Sequence, residues 1–256
     1  MPLLSTSRRT VTLSPPLPVV NSVFASHGLT FRRGQFSLLA GAPGTGKSVV
    51  ATNLALRTTV PTLFFSADSD EWTVRTRACA VLSGSLLDDV EKNLHDEAWE
   101  AFYADTLRDA DHVDFCYQSD IDLEFLVLRL QAHAEMRGDY PHLIVVDNLA
   151  NTIVDQDNEF AELRAISREL QRIARSTRAH ILALHHVVGT KEDGNSPVTL
   201  ADVMGKISKI PEVVLGISRN GDDSVILSVP KQRGGKAGMQ IQLPLHYSSA
   251  TVGGFK

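Results

Sequence analysis

The sequence of 256 residues contains no long apolar run. No stretch approaches the roughly 18 consecutive apolar residues that indicate a membrane helix. The basic residues within positions 1–9 are not followed by an apolar segment, so a secretory signal peptide is not expected either. The pattern predicts a soluble, cytoplasmic protein that has no membrane partner.

Cysteine and positive charge are also scarce. Cys79 and Cys116 are far apart and lack the spacing of metal ligands, so both are expected to be reduced and structural. The formal net charge of −5 argues against a surface that coats nucleic acid generally. It still allows a basic patch confined to one channel.

A phosphate-binding loop is indicated by residues 41–48, which read Gly-Ala-Pro-Gly-Thr-Gly-Lys-Ser and follow the apolar run 36–40. Its glycines let backbone N–H groups converge on phosphate oxygens, while the lysine supplies charge and the serine hydroxyl is placed to bind Mg²⁺. A helix expected over 49–58 would direct its N-terminus at the same anion. The residues predicted to bind a nucleoside triphosphate are Gly41, Ala42, Pro43, Gly44, Thr45, Gly46, Lys47, Ser48 and Val49.

A second chemical feature is Asp147, which follows the apolar run 143–146. An acid at the carboxyl end of a buried strand faces the crevice where open α/β sheets bind ligands. A phosphate loop needs a carboxylate there to hold Mg²⁺ or its water. Ser48 and Asp147 are therefore the predicted magnesium ligands.

Strand-like and helix-like segments alternate along the chain. Strands are predicted over 36–40, 62–66, 113–117, 143–146, 181–184, 213–218, 224–229 and 239–243, and helices over 49–58, most of 72–111, 123–137 and 158–177. Alternation followed by a β-rich end predicts an α/β fold in which helices flank a mostly parallel, twisted sheet. The strands over 213–218, 224–229 and 239–243 are expected to be antiparallel and to extend the C-terminal edge.

The domain boundaries follow from composition. Residues 1–20 contain four prolines among serines and threonines, so we expect an extended N-terminal arm outside the core that could dock on a neighbour. Residues 21–245 are expected to form one domain that contains the phosphate-binding loop, and 246–256 a C-terminal tail. The second half of 72–111 is rich in acids, which indicates a solvated helical face.

Hydrolysis also requires a group that activates or orients water near the γ-phosphate. Asp68, just after the predicted strand 62–66, is the best-placed carboxylate, and Asp70 and Glu71 are close alternatives. A helix-capping role for Asp68 or Ser69 is equally compatible with the sequence.

The order of these segments resembles a known family. The residues that carry the resemblance are Phe64-Phe65-Ser66-Ala67-Asp68, Asp147 with the helix after it, Leu182-Ala183-Leu184-His185-His186 and Lys231-Gln232-Arg233-Gly234-Gly235. In this order they resemble RecA-type hexameric ATPases, and most closely the motor domain of DnaB-type replicative helicases. The likeness covers roughly residues 20–245 and is to the compact form typical of phage- or plasmid-encoded helicases.

The resemblance implies catalytic roles for several residues. Asp68 stands where the family has a catalytic glutamate, and His186 stands where it has a polar sensor, usually glutamine. Lys231 and Arg233 would reach the γ-phosphate bound to the neighbouring subunit, with Arg233 as the finger. A solvated basic turn is the simpler interpretation of the pair, and a zinc site at His185 and His186 lacks further ligands at suitable spacing.

The resemblance also implies a nucleic-acid contact between the sensor and the finger. Lys191 lies in a polar loop, and Lys206 and Lys209 follow in an expected helix. These lysines are the candidates for binding the phosphates of single-stranded DNA, although a solvated loop is nearly as compatible. The loop lacks aromatic residues, so binding would be directed at the backbone and sensitive to salt.

Taken with the motifs, the resemblance implies an ATP- and Mg²⁺-dependent enzyme that assembles into a homo-hexamer. Such a ring would hydrolyse ATP at subunit interfaces and move along single-stranded DNA in replication. A loader or primase is a possible partner. The ring would act in the host cytoplasm if the protein is phage-encoded. The alternative is a non-motor RecA-like ATPase, either a recombination mediator or a regulatory ATPase. A small-molecule kinase is disfavoured because nothing resembles a phosphoacceptor lid.

Overall fold

The computed structural model describes residues 14–19, 21–96, 98–152 and 158–255, and its centre is a nine-stranded sheet. The strands are β1 (Phe36–Gly41), β2 (Thr62–Ser66), β3 (Val113–Cys116), β4 (Leu143–Asp147), β5 (His180–His185), β6 (Val213–Arg219), β7 (Ser224–Gln232), β8 (Met239–His246) and β9 (Thr251–Val252). Their order across the sheet is β3-β2-β4-β5-β1-β6-β7-β8-β9.

The helices connect these strands as the alternation predicts. They are α1 (Ser22–Ser26), α2 (Lys47–Thr58), α3 (Glu71–Ser83), α4 (Leu87–Leu94), α5 (Trp99–Arg108), α6 (Leu123–Arg137) and α7 (Glu159–Thr177). Among the described helices, none combines the length and the apolar character that a membrane crossing requires.

The parallel part of the sheet is covered on both faces. Strands β1, β2, β4 and β5 are buried at every position. Along each strand, alternate side chains point to opposite faces of the sheet. The apolar side chains on one face pack against α2, and those on the other face pack against α6 and α7. Two-sided burial explains why these strands read as continuous apolar runs. The predicted α/β fold is confirmed.

The C-terminal edge differs from the prediction in one strand. β6 pairs parallel with β1, with Ser37 opposite Val213 and Gly41 opposite Ile217. The antiparallel pairs are those that join β6 to β7, β7 to β8 and β8 to β9. The expectation that β6 belongs to the antiparallel addition is wrong, because the connection after β5 returns the chain to the amino end of the sheet before β6 begins.

The stretch 72–111 is mainly helical, as predicted, and comprises α3, α4 and α5. Its acidic side chains are exposed, as expected for a solvated face, at Asp88, Asp89, Glu91, Asp96, Asp105, Asp109 and Asp111. Glu97 lies outside the described residues.

Residues 14–19 and the described C-terminal residues are more closely joined to the domain than the sequence suggests. Positions 1–13 and 20 of the predicted arm lie outside the described residues, but Leu17 is buried in the core and its N–H donates to Phe31 O at 2.7 Å. The expectation of an arm outside the core is therefore wrong for residues 14–19. At the other end, the N–H of Val252 donates to Asn53 Oδ1 of α2 at 3.1 Å, so residues up to 255 pack on the domain instead of forming a separate tail.

Candidate nucleotide-binding site

The phosphate loop joins the carboxyl end of β1 to the first residue of α2, in the predicted strand-loop-helix arrangement. Gly46 has a φ of 92°, and a Cβ atom there would lie 2.7 Å from Leu245 Cδ1. Gly41 is equally constrained, since a Cβ atom would lie 2.5 Å from Ile217 Cγ2. Both positions therefore require glycine, one for its backbone conformation and both for space.

Lys47 lies under this loop and is buried. Its Nζ donates hydrogen bonds to Gly41 O at 3.0 Å and to Ala42 O at 2.9 Å. Burial lowers the pKa of Lys47, and the nearby carboxylates of Asp147 and Asp68 oppose that shift. The arrangement fixes a cation where a phosphate-binding loop needs one.

Ser48 and Asp147 meet although they are far apart in sequence. The Ser48 hydroxyl hydrogen-bonds to the Asp147 carboxylate, which is buried at the end of β4. Burial raises the pKa of Asp147 to about 6, while the Ser48 hydrogen bond and the Lys47 charge act in the opposite direction. A hydroxyl and a carboxylate beside a phosphate loop fit Mg²⁺, which usually takes one or two protein oxygens and completes its shell with phosphates and water.

Asp68 follows β2, the neighbour of β4 in the sheet, and its side chain is exposed. The two strand ends are tied by a hydrogen bond from Ala67 N–H to Asp147 O at 2.8 Å. The Asn148 amide Nδ2 donates to the Asp68 carboxylate, and Asn148 is itself buried. Sequence reasoning missed Asn148, although its position directly after Asp147 was a usable signal.

The alternative carboxylates have other contacts. Asp70 is the N-cap of α3, and its side chain accepts the Thr73 N–H at 2.8 Å. Glu71 forms an ion pair with Arg75 one turn along the same helix. The capping role considered for Asp68 or Ser69 therefore belongs to Asp70, which leaves Asp68 as the carboxylate beside Asp147.

Arg77 of α3 was not anticipated. Its guanidinium donates to Ser69 Oγ at 3.1 Å, and its positive charge lowers the pKa values of Asp147 and Asp70, in both cases as a minor contribution. The Arg77 side chain therefore stabilises the turn that contains Asp68, and it places a positive charge near Asp147 and Asp70.

His186 lies beside the same groups. It follows β5 and is half-buried; burial lowers its pKa, Lys47 lowers it further and Asp68 raises it. His185 points elsewhere, with its Nε2 3.1 Å from Met204 O, and burial lowers its pKa to about 4. Within the described ranges, no three His, Cys, Asp or Glu residues form a group that could hold a metal ion.

The polar loop after β5 packs on the phosphate loop. Gly194 has a φ of 74°, and a Cβ atom there would lie 2.8 Å from Thr45 Cγ2 and 3.4 Å from Ala42 Cβ. Its carbonyl accepts the Arg219 N–H at 2.7 Å, and the Arg219 guanidinium lies 3.5 Å from Gly44 O. No local pattern predicts this contact, because it joins segments about 150 residues apart along the chain.

Lys231 and Arg233 lie at the opposite end of the sheet from the phosphate loop. Lys231 is opposite Val214 on β6, whereas Gly41 of the loop is opposite Ile217. The Lys231 Nζ donates to Ser208 O at 2.9 Å and to Lys209 O at 2.7 Å. The structure therefore does not bring this pair to the phosphate loop of its own subunit.

The three candidate DNA-binding lysines are also separated. Lys191 ends a 3₁₀ turn near the phosphate loop, whereas Lys209 lies beside Lys231 at the other end of the sheet. The segment Met204–Lys209 is a kinked 3₁₀ segment in which Lys206 has a φ of 54°. The expected helix is wrong, because left-handed residues at Gly205 and Lys206 interrupt it.

The chain is similar in sequence to known phage and bacterial proteins. It matches the AAA domain family over residues 11–191. Gene 65 protein of Mycobacterium phage L5 is 36% identical over 229 residues, which is 87% of this chain and 85% of that protein. Replicative DNA helicase DnaB of Treponema pallidum (strain Nichols) is 29% identical over 228 residues, which is 81% of this chain and 49% of the helicase.

Solved structures share the fold over nearly the whole length. A DnaB-like replicative helicase, solved in a study of its interactions with primase, superposes with a TM-score of 0.80 at 14% identity, covering 98% of this chain and 65% of that chain. A solved ATPase domain superposes with the same TM-score of 0.80 at 13% identity, covering 99% of this chain and 97% of that domain. Identity at this level speaks for the fold alone. The family match shows that the chain belongs to the AAA domain family, and the superpositions show a RecA-like P-loop ATPase fold that the chain shares with DnaB-like helicase domains.

Proposed function

We propose that this protein is an ATP-dependent ring helicase or translocase that acts on single-stranded DNA in replication. Each ring would be a homo-hexamer in which ATP is hydrolysed at the contacts between subunits. A loader or primase partner and a cytoplasmic location, within the host if the chain is phage-encoded, belong to the same proposal. The relatedness to a phage protein and to a DnaB helicase supports it.

The observation that carries the proposal is the separation of Arg233 from the phosphate loop of its own subunit. On β6, the position opposite Gly41 and the position opposite Gln232 are four residues apart, which is about 13 Å along the strand. At that end of the sheet, Arg233 could act as an arginine finger if a second subunit placed its bound nucleotide there. A guanidinium supplied in this way is worth roughly 10³ to 10⁵ in rate.

Within one subunit, we assign the remaining roles to the groups around the phosphate loop. Lys47 and the loop amides would hold the phosphates of ATP, and Ser48 with Asp147 would hold Mg²⁺. Asp68 would activate water from its exposed position, and Asn148 would orient the Asp68 carboxylate. His186 would sense the γ-phosphate from its place beside Lys47 and Asp68.

Contact with DNA is assigned to Lys191 first, because its loop packs on the phosphate loop through Gly194. Binding of a nucleotide would then change the affinity of Lys191 for single-stranded DNA. Lys206 and Lys209 stay candidates of lower rank, since Lys209 lies at the opposite end of the sheet. Phosphate contacts of this kind weaken steeply with salt.

The separation of these lysines also favours a second candidate function. A non-motor RecA-like ATPase, either a recombination mediator or a regulatory ATPase, needs the shared nucleotide site but no continuous track for DNA. The two functions differ in whether ATP hydrolysis separates strands.

Unwinding of a forked DNA duplex with ATP and Mg²⁺ separates these candidates. We expect strand separation by rings of the unaltered protein, and no separation by Lys47→Ala rings, whose phosphate contact is lost. Size-exclusion chromatography with light scattering would establish the ring in both samples. Rings that hydrolyse ATP faster with single-stranded DNA, yet never open a fork, would contradict the helicase proposal in favour of the non-motor ATPase.

A further inference from the structure

Glu212 is a buried acid at the amino end of the sheet, far from the phosphate loop, and 7% of its surface is exposed. Its Oε2 accepts the Phe36 N–H at 3.0 Å. Its Oε1 accepts Gln171 Nε2 at 2.7 Å and Arg175 at 3.1 Å. A buried carboxylate is costly unless it is paired and hydrogen-bonded, and this one has partners on both oxygens.

Arg233 contacts the same acid. Its guanidinium NH1 lies 3.8 Å from Glu212 Oε1, and its NH2 lies 3.5 Å from Lys209 O. Its main-chain N–H donates to Glu212 O at 2.9 Å. The Arg233 side chain is nevertheless 54% exposed. The guanidinium is thus held at one edge and open to solvent at the other.

The position of the carboxylate is fixed by the sheet. The donor Phe36 is the first residue of β1, and Glu212 itself precedes β6, the parallel partner of β1. The Glu212 N–H donates in turn to Phe36 O at 2.8 Å. Glu212 is therefore hydrogen-bonded to Phe36 through both its main chain and its side chain. These bonds keep its carboxylate in place when the Arg233 side chain moves.

We infer that Glu212 is a positioning residue that presents Arg233 to the phosphates of the nucleotide bound by the neighbouring subunit. This inference rests on the proposed function. A free arginine on the surface samples many rotamers, and ordering it in the transition state costs conformational entropy. A fixed anion at its edge pre-organises the guanidinium and leaves its outer N–H groups for phosphate.

The test is Glu212→Gln, which keeps the shape of the side chain and an acceptor for the Phe36 N–H but removes the charge that holds Arg233. We expect about a tenfold loss of ATP turnover in rings of proven size, a coupling typical of adjacent charged groups. Binding of ATP to the subunit's own phosphate loop should be unchanged. Gln171→Met is the matched control, because it removes a neutral donor from the same oxygen and should leave turnover unchanged.

Two further measurements separate positioning from a merely structural role. Glu212→Gln subunits mixed with Lys47→Ala subunits should regain turnover, because the intact Arg233 of a Lys47→Ala subunit then serves the functional loop of its neighbour. The double variant Glu212→Gln with Arg233→Ala should be no slower than Arg233→Ala alone, since Glu212 acts through that side chain.

The outcomes are distinguishable. If Arg233→Ala rings turn over normally, the shared-site proposal fails and this inference fails with it. If Arg233→Ala rings are slow and Glu212→Gln rings are normal, or if the two losses add, the role of Glu212 is overturned while the shared site stands. Should Glu212→Gln not fold, Glu212→Asp replaces it, with turnover expected between the unaltered protein and Arg233→Ala, and no further loss when the two are combined.

Discussion

Single side chains at the ends of β2 and β4 give two neighbouring acids different surroundings. Asp147 is buried against Ser48, and burial raises its pKa to about 6, while the Ser48 hydrogen bond and the Lys47 charge favour its ionised form. Asp68 is exposed to water and held by Asn148. Pairs of carboxylates in contrasting environments commonly divide their roles in this way. The buried acid suits metal binding and the exposed one suits contact with water.

Asp68→Asn should lower the turnover number for ATP by about 10² or more, because the amide cannot accept a proton from water. The affinity for ATP should stay within about twofold, as Asp68 makes no contact with the phosphate loop among the described hydrogen bonds. Steady-state kinetics with nucleotide titration would measure both quantities.

Asp70→Asn is the matched control for this change. Asparagine caps helices as well as aspartate does, so the cap on Thr73 N–H and the turnover should both persist. Loss of turnover in Asp70→Asn, with normal turnover in Asp68→Asn, would move the water-activating role to Asp70.

At the scale of elements, β5 carries a buried neutral histidine at each end. Burial lowers the pKa of His180 to about 4, and its Nδ1 lies 2.9 Å from Arg32 O. Burial lowers the pKa of His185 to about 4 as well. Because a carbonyl can only accept, the ring of His180 donates through Nδ1 in its neutral form. A central strand that cannot tolerate protonation makes the whole sheet sensitive to acid.

The free energy of unfolding should fall as the pH drops below about 6.5. The folded pKa of His180 is depressed from 6.5 to about 4, so its contribution is present above pH 6.5 and is lost as the pH falls towards 4. The loss at pH 5 is about 2 kcal/mol per histidine. Urea unfolding at pH 7.5 and pH 5 would measure it.

His180→Gln keeps a donor for Arg32 O and should remove the part of this dependence that comes from His180, leaving the part that comes from His185. His246→Gln is the control, since the His246 side chain is 51% exposed and lies outside the buried core. Equal pH dependence in the unaltered protein and in His180→Gln would refute the assignment.

At the scale of the whole molecule, the sheet separates the two groups of residues that the proposed function assigns to one shared catalytic site. The phosphate loop, Asp68, Asp147 and His186 lie at the carboxyl ends of the parallel strands, while Arg233 lies at the amino ends. A ring of identical subunits can join such halves, because every subunit then offers one of each.

Subunits that lack different halves should therefore complement each other. Arg233→Ala rings and Lys47→Ala rings should each be nearly inactive, whereas mixed rings should recover a measurable part of the turnover at interfaces where both intact groups meet. ATP hydrolysis by rings of mixed composition, verified by mass spectrometry of the intact assembly, would measure this. Mixed rings that stay inactive at every ratio would refute action between subunits.

Much of the fold could be predicted because its signals are local. The apolar run before Gly41, the eight-residue loop and the periodicity of Leu163 and Ile166 in α7 each lie within a few turns of chain. The spacing of the apolar residues and the length of each segment then distinguish a strand from a helix. The parallel direction of β6 was missed because direction depends on where the preceding connection returns, which no local pattern records.

The sequence by itself determined that a phosphate loop exists, which acid ends the buried strand β4, and that strands alternate with helices. Only the tertiary structure decided which side chains meet: Asn148 reaches Asp68 across 80 positions, and Glu212 reaches Phe36 across 176. The physical reason is that a motif specifies backbone conformation through adjacent residues, whereas these contacts arise from strand order and register. Register also placed Arg233 at the end of the sheet remote from its own phosphate loop.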